Sequence, residues 1–532
     1  MTYSDKLLEP QQSNWSAFRA RFRTHSVGSA ALMVVLLFCL VAIYAPFLAS
    51  SKPLYVVYQG KSYFPLFRYL FYSGFYTKRI DLFFNLLMFT GPLFLFFFFM
   101  LKNKIRVLFL AALVLLQLTA FGYISWSMPV DPAADTQLTL ERQEALKQQR
   151  ASGQAVYPNW EFELRYLSPY AQLNLILRYK LAHREHLKLQ QYLSQYVSAL
   201  YSGYRAGLEQ EEIPAAAGGQ TLLPTLWQTE REHLTNQKKR LELLMESYLK
   251  KGSVHTAEYG AANAELRYLV ERNQWLEQES EKLHPLLMPL LSNFHWEDDA
   301  SGHQALNQAL PWWELTRVNR KNLLSALIFG TRISLVVGIV AVGLALAIGL
   351  PIGALAGYYG GIFDIAICRL IEIWETMPTF FMLLMVVAIL QSKSVFLVIA
   401  VIGLFSWTTF SRYLRGEFLK QRNLPYVEAC HALGFPDHYI MFRHLLPNSI
   451  PPILTLLPFA IMGAITSEAG LSFLGLGEEG SCSWGVLMDE ARTAFPQEGY
   501  LMWPPAILLT LLLTAIAVVG DTLRDTLDPR TS

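Results

Sequence analysis

One long apolar stretch decides the fold class: residues 323–358 read LLSALIFGTRISLVVGIVAVGLALAIGLPIGALAGY. A window of about 18 apolar residues already predicts a helix that crosses a membrane, and this stretch is longer. Across the 532 residues, 53% are hydrophobic and only 16% are charged, against about 25% charged in soluble domains. The chain is therefore predicted to be a membrane protein.

Seven further apolar runs flank this stretch, three before it and four after it. A helix of roughly 20 apolar residues spans the hydrocarbon core of a bilayer. The sequence therefore predicts an all-α membrane protein, a polytopic helical bundle of about eight spans. The flanking runs are Val27–Leu48, Leu82–Leu101, a run that ends near Ser125, Ile362–Leu390, Val395–Tyr413, Ile450–Leu474 and Trp503–Val519.

A hydrophilic region, roughly Met128–Lys321, separates the third run from the fourth. Apolar and aromatic residues recur there mostly at helical spacings, and Pro and Gly interrupt the pattern at Ile213–Gly219 and Lys251–Ser253. We predict a large inserted helical or coiled-coil domain, for which a spacer or docking stalk is the plainest role. The recurring residues are Leu187, Tyr192, Tyr196, Leu200, Tyr204, Leu234, Leu241, Leu244, Leu249, Leu266, Leu269 and Leu276.

Basic residues indicate which loops lie in the cytoplasm, where membrane proteins carry an excess of Lys and Arg. Arg19, Arg21 and Arg23 place the N-terminus there, the Lys102–Arg106 turn follows it, and the hydrophilic region falls outside. The loop between the first two runs opposes this orientation, since it lies outside and carries five basic residues. The predicted segments are a cytoplasmic tail (1–26), three spans (27–125), an extracytoplasmic insertion (126–322), a five-span core (323–522) with a cytoplasmic loop (414–449), and a cytoplasmic C-terminal tail (523–532).

The most distinctive motif lies in that loop, where residues 426–448 read YVEACHALGFPDHYIMFRHLLPN. Glu428 suits the first turn of a short helix, because a carboxylate is favoured at the positive end of the helix dipole. Gly434 can take the left-handed conformation that ends a helix. Asp437 is a candidate cap for a second helix, and Pro447 disfavours helix in the residue before it. The motif predicts a compact helix–turn–helix knob.

At this knob the sequence resembles the permeases of ATP-binding-cassette (ABC) importers. Their shared motif is Glu-Ala-Ala, three residues, Gly, nine residues, an apolar residue, one more, and Leu-Pro. Cys430 replaces the second Ala, and His444 stands at the apolar position. The match is specific because the spacing is kept over twenty residues. The matching residues are Glu428, Ala429, Gly434, Leu446 and Pro447.

Other stretches are similar to the peptide/nickel branch of this family, and in particular to the C-type partner of the heterodimeric oligopeptide permeases. Two stretches near the N-terminus and Glu372–Trp374 look closer to the microcin C/long-peptide subgroup. The stretches similar to the peptide/nickel branch are Gly330–Ser334, Arg443–Asn448, Glu468–Gly477, Ser483–Gly485 and Gly520–Arg530. The two stretches near the N-terminus are Lys52–Leu54 and Tyr63–Pro65.

The chain also departs from the family pattern. The family usually carries Gly-Thr-Asp and then Gly-Arg-Asp just before the first core helix, whereas this chain has Leu315-Thr316-Arg317 and Arg320-Lys321-Asn322. Two carboxylates are lost and basic residues are gained. These changes, the extra pair of spans and the insertion all bear on how an external solute-binding protein would dock.

The resemblance implies a transport subunit of the bacterial inner membrane, not an enzyme, for peptides or peptide-like solutes. Its implied partners are a second, B-type permease, two ATPase subunits, an external solute-binding protein and the lipid bilayer. The chain has no G-x-x-x-x-G-K-[ST] loop, so ATP and Mg would be bound by the ATPases and no cofactor is expected here. The net charge of +2 does not suggest nucleic acid. The implied coupling residues are Glu428, Ala429, Gly434, Arg443, His444, Leu446 and Pro447.

Some charged residues allow two interpretations. Arg369, Glu372 and Glu375 either line a pathway or form buried pairs, and the spacing of Arg369 and Glu372 favours a pair on one helix face. His444 either faces the ATPase groove or is a partly exposed histidine at the bilayer edge. His183, with His186 three residues on, lacks further ligands at metal-binding spacing, so no metal site is predicted.

Two other functions compete with the permease. A membrane-anchored sensor or scaffold would use the external helical domain to detect a ligand, but it would require a cytoplasmic output domain, and the cytoplasmic segments predicted here are short. Half of an exporter would typically carry a fused ATPase. The permease is therefore the favoured interpretation.

Overall fold

The structure is a computed structural model that describes residue 22 and residues 24–72, 75, 78–101, 103–127, 130–151, 159–181, 230–250, 257–284, 286–292, 322–391, 393–478, 480–493 and 499–527. Helices dominate these ranges. The chain divides into one unit of Met1–Ala42 with Phe329–Ser532 and a second unit of Ile43–Ile328.

The first half of the chain contains ten helices and three short strands within the described ranges. These are α1 Ser26–Ile43, α2 Ala45–Leu48, β1 Tyr55–Tyr58, β2 Lys61–Tyr63, α3 Pro65–Tyr69, α4 Arg79–Met100, α5 Asn103–Trp126, α6 Thr136–Ala151, α7 Trp160–Arg165, α8 169–181, α9 Glu230–Lys250, α10 Ala257–Glu281 and β3 Leu286–Leu287.

In the second half, every regular element within the described ranges is a helix or a helical turn. It contains α11 Leu323–Tyr359, α12 Gly361–Glu375, α13 Thr379–Leu390, α14 Val395–Gln421, α15 Pro425–Ala432, α16 Asp437–Ile440, a π-helical turn Met441–Leu445, α17 Leu446–Leu454, α18 Leu457–Leu471, a second π-helical turn Ser472–Leu476, α19 Trp484–Thr493, a 3₁₀ turn Gly499–Met502 and α20 Trp503–Leu527.

Seven of the described helical segments are long and apolar enough to cross a membrane, and an eighth span results if α12 and α13 form one broken span. The predicted helical membrane protein of about eight spans is confirmed at that level. The single run predicted at Ile362–Leu390 is bent by 71° between its two helices. Pro378 explains the break, because proline lacks a backbone N–H and disfavours helix in the residue before it.

In the first unit, three glycines of α11 lie directly against α14. They are Gly349, Gly353 and Gly357, one helical turn apart, and a Cβ on any of them would meet the backbone of the neighbouring helix. Small residues at every fourth position let two membrane helices approach closely. We call these three residues the glycine ladder, and it holds the two helices together over the last third of α11, from Gly349 to Gly357.

The first predicted span, α1, packs into the same unit. The Phe38 ring lies 5.9 Å from the Trp484 ring in an edge-on arrangement. The fully buried Arg332 donates from Nε to the Ala42 carbonyl oxygen at 2.7 Å. That bond stabilises the end of α1, because the last carbonyls of a helix have no partner within the helix.

The segment quoted from Glu468 to Gly477 forms a tight corner after α18. The buried Glu468 accepts a hydrogen bond from the Ser472 hydroxyl at 2.7 Å. Gly475 has φ = +80°, a conformation that L side chains rarely adopt, and it closes the π-helical turn. Gly485 lies against Ala469, so both motif stretches meet at this corner.

The second unit contains a three-stranded antiparallel sheet, ordered β2-β1-β3, that the all-α prediction missed. Gln59 and Gly60 join β1 to β2, and both have positive φ (50° and 74°), as type I′ hairpin turns require. β3 pairs with β1 from more than 200 residues away. The strands have two to four residues, too few for the alternating pattern that identifies a strand in sequence.

Helices pack on this sheet to build the core of the second unit. Val56 and Tyr58 of β1 lie with Leu173 of α8, with Leu276 of α10 and with Leu283, two residues after α10. The two helices predicted around Leu234–Leu249 and Leu266–Leu276 are present as α9 and α10 and pack against each other. The pattern predicted at Leu187–Tyr204, and both predicted breaks, lie outside the described residues. The proposed coiled-coil insertion and the domain limits remain predictions.

Two titratable residues support this core. Lys180 donates from Nζ to the Ser280 and Leu283 carbonyl oxygens at 2.9 and 3.1 Å, where α10 ends, and burial lowers its pKa. Burial, aided by the nearby charge of Glu279, raises the pKa of Tyr58 to about 12. Both residues are therefore held in the folded unit by contacts between distant segments.

Candidate functional site

The distinctive loop forms a helical elbow, which we define as residues 424–447. α14 leads into it and α17 leads out of it. Its first arm, α15, begins with Pro425 at the first helical position, where a missing N–H has no consequence. Glu428 lies in the first turn of α15, as predicted, and suits the positive end of that helix.

The turn of the elbow is built by Gly434. It has φ = +75°, and its N–H donates to the His431 carbonyl at 3.0 Å, while the Phe435 N–H donates to the Cys430 carbonyl at 3.1 Å. These two bonds define a Schellman motif, the common helix ending that uses a left-handed glycine. The prediction that Gly434 ends the first helix is confirmed.

Two predictions about the second arm are wrong. Asp437 does not cap α16: the N-cap is Pro436, without a side-chain cap, and the Asp437 carboxylate bonds elsewhere. Pro447 does not stop the helix before it, since Leu446 is helical and its N–H donates to the Met441 carbonyl. In this π-helical turn the Leu446 N–H bonds to the carbonyl five residues earlier, whereas an α-helix uses the carbonyl four residues earlier. Pro447 falls in the first turn of α17, where proline is tolerated.

The elbow has a buried base and an exposed tip. Val427, Ile440 and Leu445 are fully buried and anchor both arms. Every residue from 431 to 439 is exposed. Leu433 is 74% and Phe442 63% exposed, beside the partly exposed rings of Phe435 and Tyr439. A cluster of large apolar side chains at an exposed tip indicates a surface that binds another protein.

The other predicted elbow residues divide between tip and base. Glu428, Ala429, Arg443 and Pro447 are exposed, and Leu446 is partly buried. His444 is partly exposed, and its ring lies 5.5 Å from the Tyr439 ring and 6.3 Å from the Phe435 ring. Its Nε2 is buried without a hydrogen-bond partner among the described residues. His444 therefore supports the aromatic tip from beneath.

The predicted charged group in α12 forms ion pairs with different partners. Arg369 Nη1 and Glu372 Oε2 are 2.6 Å apart on one helix face, as the spacing predicted, and both side chains are largely exposed. Glu375 pairs instead with Arg412 of α14. Asp364 forms a two-pronged ion pair with Arg415 of α14, with the second bond at 2.8 Å. The last two pairs join α12 to α14.

One residue that the sequence analysis did not single out connects the elbow to the bundle. Tyr358, at the end of α11, donates from its hydroxyl to Asp437 Oδ1 at 2.8 Å and lies 3.4 Å from His431 Nε2. More than 70 residues separate it from both partners. Local sequence patterns carry no signal for such a contact.

No group of three or more His, Cys, Asp or Glu side chains suited to hold a metal ion occurs in the described part of the chain. His183 and His186 lie outside it. The elbow itself offers exposed apolar and aromatic side chains, and no arrangement for bond-making chemistry. Its geometry suits mechanical contact with a partner.

Two family models match the chain. Residues 349–532 match the binding-protein-dependent transport system inner membrane component, and residues 13–65 match the N-terminal transmembrane domain of oligopeptide transport permease C. The first match covers the elbow and agrees with the family resemblance found there.

Several curated relatives are permeases. The peptidoglycan transport permease YejE of Agrobacterium fabrum is 37% identical (41% of this chain, 57% of the relative), and the permease YejE of Escherichia coli is 36% identical (41% and 63%). The oligopeptide permease OppC of Haemophilus influenzae is 35% identical (40% and 69%). A solved structure of the methionine ABC transporter MetNI, in an inward-facing conformation, is 19% identical with a TM-score of 0.33 (38% of this chain, 97% of that one).

These findings define the class: a multi-span helical permease subunit of an ABC transporter, not an enzyme. The chain belongs to the family of ABC peptide and oligopeptide transport permeases, which sit in the bacterial inner membrane. It spans about 60% of the length of the two YejE relatives.

Proposed function

We propose that this chain is a permease subunit of an ABC importer that takes up peptides or peptide-like solutes. It forms the translocation pathway with a second, B-type permease. Two separate ATPase subunits bind ATP and Mg and drive transport. The main observation behind this proposal is the exposed apolar tip of the elbow, because an ATPase subunit would bind to that surface.

The elbow is suited to receive force. Its tip side chains, such as Leu433 and Phe442, would be covered by a groove of the ATPase, which removes apolar surface from water. Its base is fixed by Val427, Ile440 and Leu445 in the bundle. A displacement of the tip is therefore passed to the spans, which re-open on the other side of the membrane by alternating access.

The coupling residues that the family resemblance implies have distinct roles in this proposal. Glu428 and Ala429 belong to the first arm, and Gly434 sets the angle between the arms. Arg443 is exposed beside the tip and can reach an acidic group of the ATPase. His444 supports the tip from inside. Leu446, with Pro447, starts the helix that returns to the membrane.

The proposed orientation places both termini and the elbow in the cytoplasm. Arg412, Arg415, Lys420 and Arg422 lie just before the elbow, as the excess of basic residues in cytoplasmic loops predicts. The sheet and the α9–α10 helix pair of the second unit then lie outside, where an extracytoplasmic solute-binding protein would dock. The charged residues Arg369, Glu372 and Glu375 would sit toward the cytoplasmic half of α12–α13.

The substrate proposed is a peptide, with the microcin C/long-peptide subgroup as the finer assignment. The sequence stretches near Lys52 and Glu372 support that subgroup. The inserted domain of 126–322 is proposed to be an extracytoplasmic helical stalk that recruits the binding protein. The names of the relatives, which refer to peptidoglycan, oligopeptide and dipeptide transport, agree with a peptide-like solute.

The test is a pair of substitutions at Gly434. Gly434→Val strains the turn, because a β-branched residue rarely adopts positive φ, whereas Gly434→Asn is tolerated there. No atom lies within 4 Å of a Cβ at this position, so neither variant creates a clash at Cβ, and the comparison tests the backbone preference of the turn. The matched control is Gly416→Ala, where a Cβ also meets nothing and φ is not positive.

We expect wild type, Gly434→Asn and Gly416→Ala to co-purify with two ATPases and a second permease, and to support ATP-driven peptide uptake in vesicles. Gly434→Val should lose both by at least tenfold. A chain that purifies alone, or a Gly434→Val variant that keeps its ATPases and its uptake, would contradict the proposal.

A further inference from the structure

Tyr358 occupies a junction between the first core helix and both arms of the elbow. Its hydroxyl donates to Asp437 Oδ1 of the second arm at 2.8 Å. It also lies 3.4 Å from His431 Nε2 of the first arm, and the two rings stack with their centroids 6.3 Å apart and their planes at 27°. One side chain of α11 thus contacts each side of the Gly434 turn.

The Asp437 carboxylate is free for this contact because it does not cap its own helix. The N-cap of α16 is Pro436, and Asp437 Oδ1 accepts from Tyr358 instead. A hydrogen bond from a phenol to a carboxylate is stronger than one between neutral groups. The tip of the elbow is otherwise exposed, so this bond is a specific tie between the moving tip and α11.

The same end of α11 is held by α14. Arg422 Nη1 lies 3.4 Å from the Tyr358 carbonyl oxygen and 3.5 Å from that of Gly357. Gly357 is the last rung of the glycine ladder and lies against Phe418 and Arg415. The end of α11 is therefore clamped to a neighbouring span by its backbone and to the elbow by one side chain.

We infer that Tyr358 is a positioning residue that transmits displacement of the elbow tip to the first core helix through its hydroxyl. This inference rests on the proposed function, since it assumes that ATPases move the tip. The tip can also move α17 through the chain itself, whereas the described hydrogen bonds that join the end of α11 to the elbow and its entry are the Tyr358 contact and the Arg422 clamp. Without the hydroxyl, displacement of the tip moves the end of α11 less than in the wild type.

The experiment measures hydrogen–deuterium exchange by mass spectrometry on the purified complex of this chain with its permease and ATPase partners. Each complex is compared without nucleotide and with ATP plus vanadate, which traps the closed ATPases. Tyr358→Phe keeps the ring and its stacking on His431 but removes the hydroxyl. The matched control is Tyr359→Phe, because the neighbouring Tyr359 is 50% exposed and points no hydroxyl at the elbow in any described hydrogen bond.

In the wild type we expect the nucleotide to change exchange in residues 425–440 and in residues 350–359. Tyr358→Phe should keep the first change and reduce the second at least threefold, with exchange in the nucleotide-free state as in the wild type. Tyr359→Phe should match the wild type. Asp437→Ala removes the acceptor of the same hydrogen bond and should reduce the exchange change at 350–359 as Tyr358→Phe does. The variant that carries both substitutions should reduce that change no further than either single variant.

A Tyr358→Phe complex with the full wild-type change at 350–359 would overturn the inference alone. Raised exchange at 350–359 already without nucleotide would also overturn it, since Tyr358 would then only stabilise the helix end. A wild-type complex without ATPases, or without any nucleotide-dependent change in the elbow, would overturn the proposed function and the inference together.

Discussion

The close packing at the glycine ladder predicts that a methyl group added at Gly353 destabilises the protein. Gly353→Ala places a methyl group 2.9 Å from the Ser411 Cα and closer still to its carbonyl oxygen. Both atoms belong to the backbone of α14, so no side chain can rotate away. The two helices must separate, or α11 must bend.

The magnitude follows from a matched pair of variants on one helix. Gly343→Ala adds the same methyl group to α11 where nothing lies within 4 Å, so both variants gain the helix preference of alanine, about 1 kcal/mol. Their difference isolates the overpacking, which typically costs about 1–3 kcal/mol. For a domain of roughly 150–250 residues that corresponds to about 2–12 °C in melting temperature.

The assay is thermal unfolding of the detergent-solubilised protein, followed by tryptophan fluorescence. We expect Gly343→Ala to melt at or above the wild type and Gly353→Ala to melt below Gly343→Ala by that amount. Adding Ser411→Gly should not rescue Gly353→Ala, because the conflict is with backbone atoms. Equal melting temperatures for the two alanine variants would refute the close approach of α11 to α14.

Two further predictions concern charged and titrating groups. Asp364→Asn should lower the melting temperature by a few degrees, because it breaks the ion pair with Arg415 at a site where both side chains are less than 30% exposed. Glu372→Gln breaks an ion pair whose side chains are 72% and 56% exposed, so its melting temperature should change little. Similar melting temperatures for the two variants would argue against a role for the Asp364 pair. Folding raises the pKa of Tyr58 from 10.0 to about 12, so its contribution to stability is present below pH 10 and is lost as the pH rises toward 12. Tyr58→Phe should therefore show a smaller drop in melting temperature between pH 8 and pH 11 than the wild type, and an unchanged drop would count against this assignment.

The membrane helices and the elbow were predictable because their signals are local. An apolar run needs only its own length to predict a span. The elbow combines a carboxylate suited to the first helical turn, Glu428, with a left-handed Gly434 and a fixed spacing to Pro447, and all of these are properties of neighbouring residues. The Arg369–Glu372 pair was predictable for the same reason, since three residues separate its members on one helix.

The features that the sequence analysis missed are contacts between distant segments. β1 pairs with a two-residue strand beyond α10, and Tyr358 reaches Asp437 across 79 residues. The glycine ladder has a regular spacing, but only the structure shows which helix faces it. The errors at Asp437 and Pro447 share a cause: the usual role of a residue was assigned locally, and a tertiary contact or a π-helical turn changed it.

The position of these missed contacts bears on the mechanism. α14 is the helix that leads into the elbow, and along its length it meets α11 at the glycine ladder and α12 at Arg412 and Arg415. α14 can transmit displacement of the elbow only if it does not bend. Close backbone packing against α11 and ion pairs with α12 stiffen α14, and Tyr358 connects the tip of the elbow to α11, which the glycine ladder packs against α14. Under the proposed function, weakening the ladder and removing the Tyr358 hydroxyl should therefore impair the same step, the transfer of tip displacement to α11, and their effects on nucleotide-dependent exchange at 350–359 should not add.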